Sequence, residues 1–271
     1  MFEPTAWAAL FRDYRVFLNG LFATVEMALV GFIIAIVLGV IFGLFAKSEK
    51  KPLEIVSRVY VEFFQNTPLM LQALFLFYAV TFSGHKGFTP LLAGMISLGV
   101  YHGAYISEVF RAGIEAVPKS QSEAAYSQGF TYLQTMRYVI LPQTLRIILP
   151  PMVNQVVALI KNTSCMLLVG GAVDLISITN AYAVGASTAR YAAAAYVFSG
   201  VLFFAICFPL STLASHWEQK IKRRDTQTDH MGQPPAPDDV SDSELDSIIR
   251  HTTVGGPVAA GPDTAGKGGN R

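Results

Sequence analysis

The sequence predicts an all-α integral membrane protein of about five transmembrane helices, with its N-terminus outside and its C-terminus in the cytoplasm. Three observations predict it. Of 271 residues, 52% are hydrophobic and only 14% are charged, and the mean hydropathy is +0.42; a soluble domain carries about 25% charged residues. Five apolar runs are long enough to cross about 30 Å of hydrocarbon. The Lys and Arg residues between those runs alternate from side to side. The net charge of +1 supplies no field that would attract nucleic acid. Cys165 and Cys207 both lie in apolar runs and read as small buried hydrophobes rather than as a disulfide.

The first residues, Met1-Phe2-Glu3-Pro4, form no basic n-region, so no cleavable signal peptide is expected and the first apolar run is its own anchor. Residues 1–19 read as an N-terminal periplasmic or interfacial segment. Within it, residues 4–18 predict a short interfacial helix. Trp7, Phe11, Tyr14 and Phe17 would face lipid, with Arg12, Asp13 and Arg15 toward water. The five spans are about 20–46, 57–82, 88–110, 150–171 and 191–216. The third is the weakest, because Tyr101, His102 and Glu108 lie in it. Glu26 is expected near the outer surface.

Basic residues orient the spans. Lys47, Lys50, Lys51 and Arg58 flank the first loop, and Arg111, Lys119, Arg137 and Arg146 lie in the long loop after the third span. Lys220, Lys222, Arg223 and Arg224 follow the fifth. The segments 83–90 and 172–190 carry only Lys86 and Arg190. A transmembrane domain at 20–220 is therefore expected, with a cytoplasmic loop at 112–149. Residues 221–271, rich in Pro, Gly and Asp, predict a disordered cytoplasmic tail. The tail contains Gly261-x4-Gly266-Lys267-Gly268, but a phosphate-binding loop needs Ser or Thr after the Lys and a strand-to-helix setting.

The cytoplasmic loop contains Glu123-Ala124-Ala125, then Gly129, then Val139-Ile140-Leu141-Pro142. Residues 120–128 predict a helix capped by Ser120, with Glu123 at its third position in a capping box. Gly129 permits a tight turn or close approach by a partner. A second helix is expected at 131–140, ended by Pro142. Glu123 is then a fixed exposed charge, and Ala124 and Ala125 form a small surface that a partner can approach.

Two spans carry polar groups at depth. Gln65-Asn66-Thr67-Pro68 lies about 12–16 Å into the second span, and Pro68 should kink it. Lys161-Asn162-Thr163-Ser164 reaches about 15–20 Å in the fourth, with Asn154 and Gln155 lower. Both spans run outward, so the two sets are expected at one depth. Such groups face a bundle interior and mark a pathway, or they join helix to helix. As a pathway they suit the carboxylate and amine of a small zwitterion. Lys161 alternatively binds a carbonyl or snorkels. Glu108 and Arg111, three apart, predict a local ion pair. The five histidines show no metal-ligand spacing, and His102 reads as an internal hydrogen-bonding residue. No nucleophile has an evident base, which disfavours a membrane-embedded enzyme.

The Glu123–Pro142 spacing resembles the cytoplasmic "EAA" loop of permease subunits in ATP-binding-cassette importers, with Val139 where that family usually has Ile. Three further motifs resemble its polar amino acid subgroup, which serves histidine, arginine, glutamine and glutamate. They are Phe64-Gln65-Asn66-Thr67-Pro68-Leu69, Glu108-Val109-Phe110-Arg111-Ala112-Gly113-Ile114 and Leu159-Ile160-Lys161-Asn162-Thr163-Ser164. The resemblance covers roughly 15–220. Gln65 departs from the subgroup's usual Arg, and the C-terminal extension lies outside the pattern.

The resemblance implies the type I ABC importer permease fold in a bacterial inner membrane, paired with a second copy or a homologous permease. It implies two ATPase subunits that hold ATP and Mg, so this chain carries no cofactor, metal or catalytic residue. It also implies a periplasmic or lipid-anchored amino acid-binding protein, contact with membrane lipid, and no nucleic acid. Glu123, Ala124, Ala125, Gly129, Leu141 and Pro142 would couple to the ATPases. The alternative is an ion-gradient-driven secondary amino acid transporter, which predicts a carboxylate deep in the bundle and an internal repeat.

Overall fold

A computed structural model describes residues 4–85, 87–169 and 174–232. It is all-helical, with no strand among the described residues. The chain divides into two units, Met1–Ile221 and Lys222–Arg271. The first contains helices α1 (Pro4–Arg12), α2 (Tyr14–Ala46), α3 (Lys51–Gln65), α4 (Leu69–Phe82), α5 (Pro90–Glu115), α6 (Lys119–Ser127), α7 (Tyr132–Thr135), α8 (Leu141–Asn162), α9 (Leu175–Val184) and most of α10 (Ala192–Gly232). In the second, the backbone is helical to Gly232. The rest of the predicted tail, with Gly261 and Gly266, lies outside the described residues, as does Lys86.

Among the described residues, three helical stretches are long and apolar enough to cross a membrane: Tyr14–Ala46, Tyr132–Leu168 and Ala189–Trp217. The pair α3 and α4 is a fourth if counted as one span, bent by 99° at its break. Pro68 is the N-cap of α4 and cannot continue the ladder of α3. The expected kink is thus a near right angle.

The third expected span, 88–110, corresponds to α5, 26 residues or about 39 Å long. Its modest hydropathy has a structural cause. Ser97, His102 and Ser107 are buried against other helices, so α5 forms the centre of the bundle.

Helix α2 packs along α5 through small residues at helical spacing: Gly31, Ala35, Gly39 and Gly43 are all buried. The approach is close enough that a Cβ on Gly39 would lie 2.3 Å from Ile106 Cγ2, and one on Gly43 would lie 2.6 Å from Phe110 Cβ. Two core clusters flank this seam. One joins Met27, Leu98, Leu159 and Met166; the other joins Leu10, Phe17, Leu175 and Ala195.

Four local expectations are corrected. Phe17 does not face lipid: it is fully buried, with its ring 5.3 Å from those of Tyr182 and Phe198. The segment read as a plain loop at 172–190 contains α9, whose N-cap Asp174 accepts from Ile176 N. This helix docks on α2 where Gly20 leaves room, and Leu175 N donates to Thr24 Oγ1 at 2.9 Å.

Ser120 caps nothing. Pro118, extended at φ −56° and ψ 135°, is the N-cap of α6 and makes no side-chain cap bond, so Ser120 falls inside the first turn and Glu123 forms no capping box. Pro142 does not end a helix. A π turn at Met136–Ile140 widens the ladder just before it, and α8 takes Pro142 in its first turn, where the missing N–H is tolerated.

Candidate functional site

The Glu123–Pro142 loop is organised by two caps. At the end of α6, Gly129 N donates to Tyr126 O at 2.9 Å and Phe130 N to Ala125 O at 3.1 Å. These are the paired bonds of a Schellman motif, which requires a left-handed residue. Gly129 is that residue, at φ +82°, and nothing lies within 4 Å of the space a Cβ would fill. The turn needs a residue that adopts this left-handed backbone, which glycine does most readily, with open space where a Cβ would lie.

At the start of α7, Thr131 and Gln134 form the capping box. Thr131 N donates to Gln134 Oε1 at 2.8 Å, and Gln134 N to Thr131 Oγ1 at 3.4 Å. Glu123 and Ala124 are exposed, Ala125 is buried, Leu141 is half-buried and Pro142 is exposed. Around them Tyr126, Phe130, Tyr132, Leu133 and Tyr138 are exposed, Leu133 at 76%.

The polar residues of the bundle meet on α5. His102 is 2% exposed. Its Nδ1 lies 3.1 Å from Gln155 Oε1, and its Nε2 lies 3.1 Å from Asn162 Nδ2. Gln155 and Asn162 are seven apart on α8, two turns along one face. Gln155 Oε1 can only accept, so Nδ1 carries the proton and Nε2 accepts from the Asn162 amide. Both imidazole nitrogens are satisfied, and α5 is pinned to α8.

The polar set at the α3–α4 break reaches α5 separately: Gln65 Nε2 donates to Ala104 O at 3.3 Å. Asn66 and Thr67 donate back to Glu62 O and Phe63 O, capping the end of α3. The two sets therefore do not bond to each other among the described residues; both bond to α5.

Of the remaining polar residues, Thr163 and Ser164, in the 3-10 turn that follows α8, donate back to Ile160 O and Lys161 O in its last turn. Asn154 is exposed. Lys161 is exposed and, with Ser164, Phe203, Cys207 and Ser211, lines a cavity of about 500 Å³ against α10.

One residue at the break was not singled out from the sequence. Gln72 Nε2 donates to Phe64 O at 3.0 Å and to Thr67 O at 3.1 Å, satisfying carbonyls that the broken ladder leaves free. Its position four residues after Pro68 was the available signal.

The expected pair of Glu108 and Arg111 is present, with Arg111 Nη2 2.8 Å from Glu108 Oε2, and it extends to Glu115. The Lys47 ammonium and the Arg111 guanidinium hold the Glu115 carboxyl below its usual range, Lys47 contributing more. Among the described residues no three His, Cys, Asp or Glu side chains come together as metal ligands.

The family model for the binding-protein-dependent transport system inner membrane component matches residues 35–223. A probable glutamine ABC transporter permease protein of Bacillus subtilis is 34% identical over 216 residues, 79% of this chain and 97% of that protein. An arginine transport system permease protein of the same organism is 30% identical, over 77% of this chain and 93% of that protein. The solved structure of an amino acid ABC transporter with histidines aligns with a TM-score of 0.71 at 28% identity, over 79% of this chain and 97% of that one. An inward-facing methionine ABC transporter shares the fold, at a TM-score of 0.59 and 20% identity.

Proposed function

The chain belongs to the family of binding-protein-dependent transport system inner membrane components, and from that premise we propose that it moves a polar amino acid along the polar groups gathered on α5, driven through its Glu123–Pro142 loop. It is a multi-pass inner-membrane protein and the permease subunit of an ABC importer. ATP hydrolysis belongs to separate subunits. In this reading two ATPase subunits, carrying ATP and Mg, dock on the face that presents Glu123, Ala124 and the exposed aromatic residues, on the cytoplasmic side. A second permease copy or a homologous permease completes the pathway, and a binding protein delivers the amino acid from outside.

One observation carries the reading. The loop that matches the docking pattern is folded by its own caps and presents exposed apolar and aromatic side chains, Leu133 most of all. A loop held this way costs little further ordering when a partner arrives. The substrate class rests on the relatives named above and on a bundle interior of neutral amides around His102, suited to a zwitterion.

The experiment is co-purification from the native membrane. ATPase activity is then assayed with a panel of polar amino acids and the matching binding protein. An associated ATPase stimulated by one amino acid supports the reading and names the substrate. A chain that purifies alone, with uptake that survives ATP depletion, overturns it.

A further inference from the structure

The docking loop is tied to the bundle by a chain of bonds that crosses large sequence distances. Tyr132, the first residue of α7, donates its phenol hydroxyl to Lys47 O at 3.2 Å. Lys47 is the C-cap of α2, and its ammonium meets the Glu115 carboxylate at the end of α5. Arg111 Nη1 reaches both Glu115 oxygens, at 2.9 and 2.8 Å, while its Nε and Nη2 hold Glu108. One guanidinium therefore bridges two carboxylates along α5, in the planar fork geometry that Lys cannot supply.

The ion pair also has a position that a chance surface contact lacks. Lys47 and Glu115 together line two clefts. One, of about 290 Å³, lies against the loop and contains Tyr126 and Tyr132. The other, of about 460 Å³, lies between α3 and α5 and extends to Gln65. The pair is the wall between them. On the bundle side the elements are stiff. Ser57 Oγ donates to Phe42 O, Tyr60 Oη donates to Val100 O, and the Phe42 and Tyr60 rings stack at 3.9 Å. From Glu115, α5 runs unbroken to His102, thirteen residues or about 20 Å away.

We propose that Lys47, Arg111 and Glu115 form the joint through which the docking loop moves α5, as positioning residues that keep ATP hydrolysis coupled to transport. A push on α7 passes through Lys47 into the end of α5, and α5 carries it to the groups bonded to His102 and to Gln65. Isolated exposed ion pairs contribute about 0–1 kcal/mol to stability, so the joint acts on coupling rather than on folding. The inference rests on the loop being the ATPase docking element.

The test uses the full permease–ATPase complex in proteoliposomes and reads amino acid taken up per ATP hydrolysed, alongside ATPase co-purification. Lys47→Met and Glu115→Gln are each expected to retain the ATPase at normal stoichiometry but to lower uptake per ATP by about fivefold or more, the low end of site-to-site coupling. The Lys47→Met/Glu115→Gln double variant should be no worse than Glu115→Gln alone, since the Lys47–Glu115 bond is already gone in that single variant. Lys47→Arg should keep normal coupling.

Tyr132→Phe, which removes one hydroxyl and leaves folding intact, should give a smaller loss in the same ratio. Unchanged uptake per ATP in the single variants overturns the joint. So do additive losses in the double variant, or loss of the ATPase itself, which would make these residues part of the docking surface. Failure of the unaltered chain to bind an ATPase would instead sink the docking reading.

Discussion

His102 and Gln155 are 53 residues apart in the chain and 3.1 Å apart in the fold. Asn162 closes the other side of the same imidazole. Replacing His102 with Ala leaves both half-buried amides without this partner, at a cost of about 1 kcal/mol. Thermal unfolding in detergent should shift down, and uptake in proteoliposomes should fall about tenfold. His102→Ala/Gln155→Ala should lose little more stability than His102→Ala alone, because the shared bond is already gone.

Gly129 separates backbone strain from surface charge. Asn tolerates the left-handed region, so Gly129→Asn should bind the ATPase and transport nearly normally. Gly129→Val forces a β-branched residue to φ +82° and should weaken the loop by about 1–3 kcal/mol. Gly129→Asp keeps the turn but places a charge on the docking face, so it should insert normally and lose transport. ATPase co-purification with uptake distinguishes the three.

Gly39 tests the α2–α5 seam. A Cβ there meets Ile106 Cγ2 at 2.3 Å and Ile106 Cβ at 2.7 Å, and neither is the far end of a flexible chain. Gly39→Ala should destabilise the bundle by about 1–3 kcal/mol through overpacking. Gly200→Ala, on α10 with nothing within 4 Å of its added methyl, is the matched control and should leave the melting curve unchanged or raise it slightly, since Ala is the better helix former.

The joint should depend on pH in one direction. Glu115 faces Lys47 from α2 and Arg111 from α5, with Tyr132 and Lys119 on the same cleft. Its carboxyl titrates below the usual 4.5, chiefly through the Lys47 bond. A lowered carboxylate pKa gives an interaction fully present above the unfolded value and lost as pH falls through the folded one. A spin label beside Tyr132 should report constant order from pH 8 to about 5 and loosening only below the ordinary carboxylate range. In Lys47→Met the loosening should begin at higher pH.

The parts of the site legible in the sequence were those written locally. Glu123-Ala124-Ala125 with Gly129 is a pattern within one short helix and its cap, and Pro68 follows the polar Gln65-Asn66-Thr67, whose side chains can close the end of a helix. The errors came where a neighbour overrode a local rule. Pro118 displaced Ser120 as the cap, and the π turn admitted Pro142 into α8. Helix α9, only ten residues long, was missed because no length argument reaches so short a segment; Asp174 before an apolar run was its one signal.

By itself the sequence determined the membrane class, the apolar runs, the turn at Gly129 and the position of the broken span, because each follows from composition or from contacts within a few residues. The tertiary structure decided that α5 lies at the centre. It also decided that His102 joins Gln155 and Asn162, and that Tyr132 reaches Lys47 across 85 residues. Periodicity says which face of a helix is polar but not which helix that face meets. That choice depends on how closely backbones approach, and here the glycines of α2 against Ile106 and Phe110 set it.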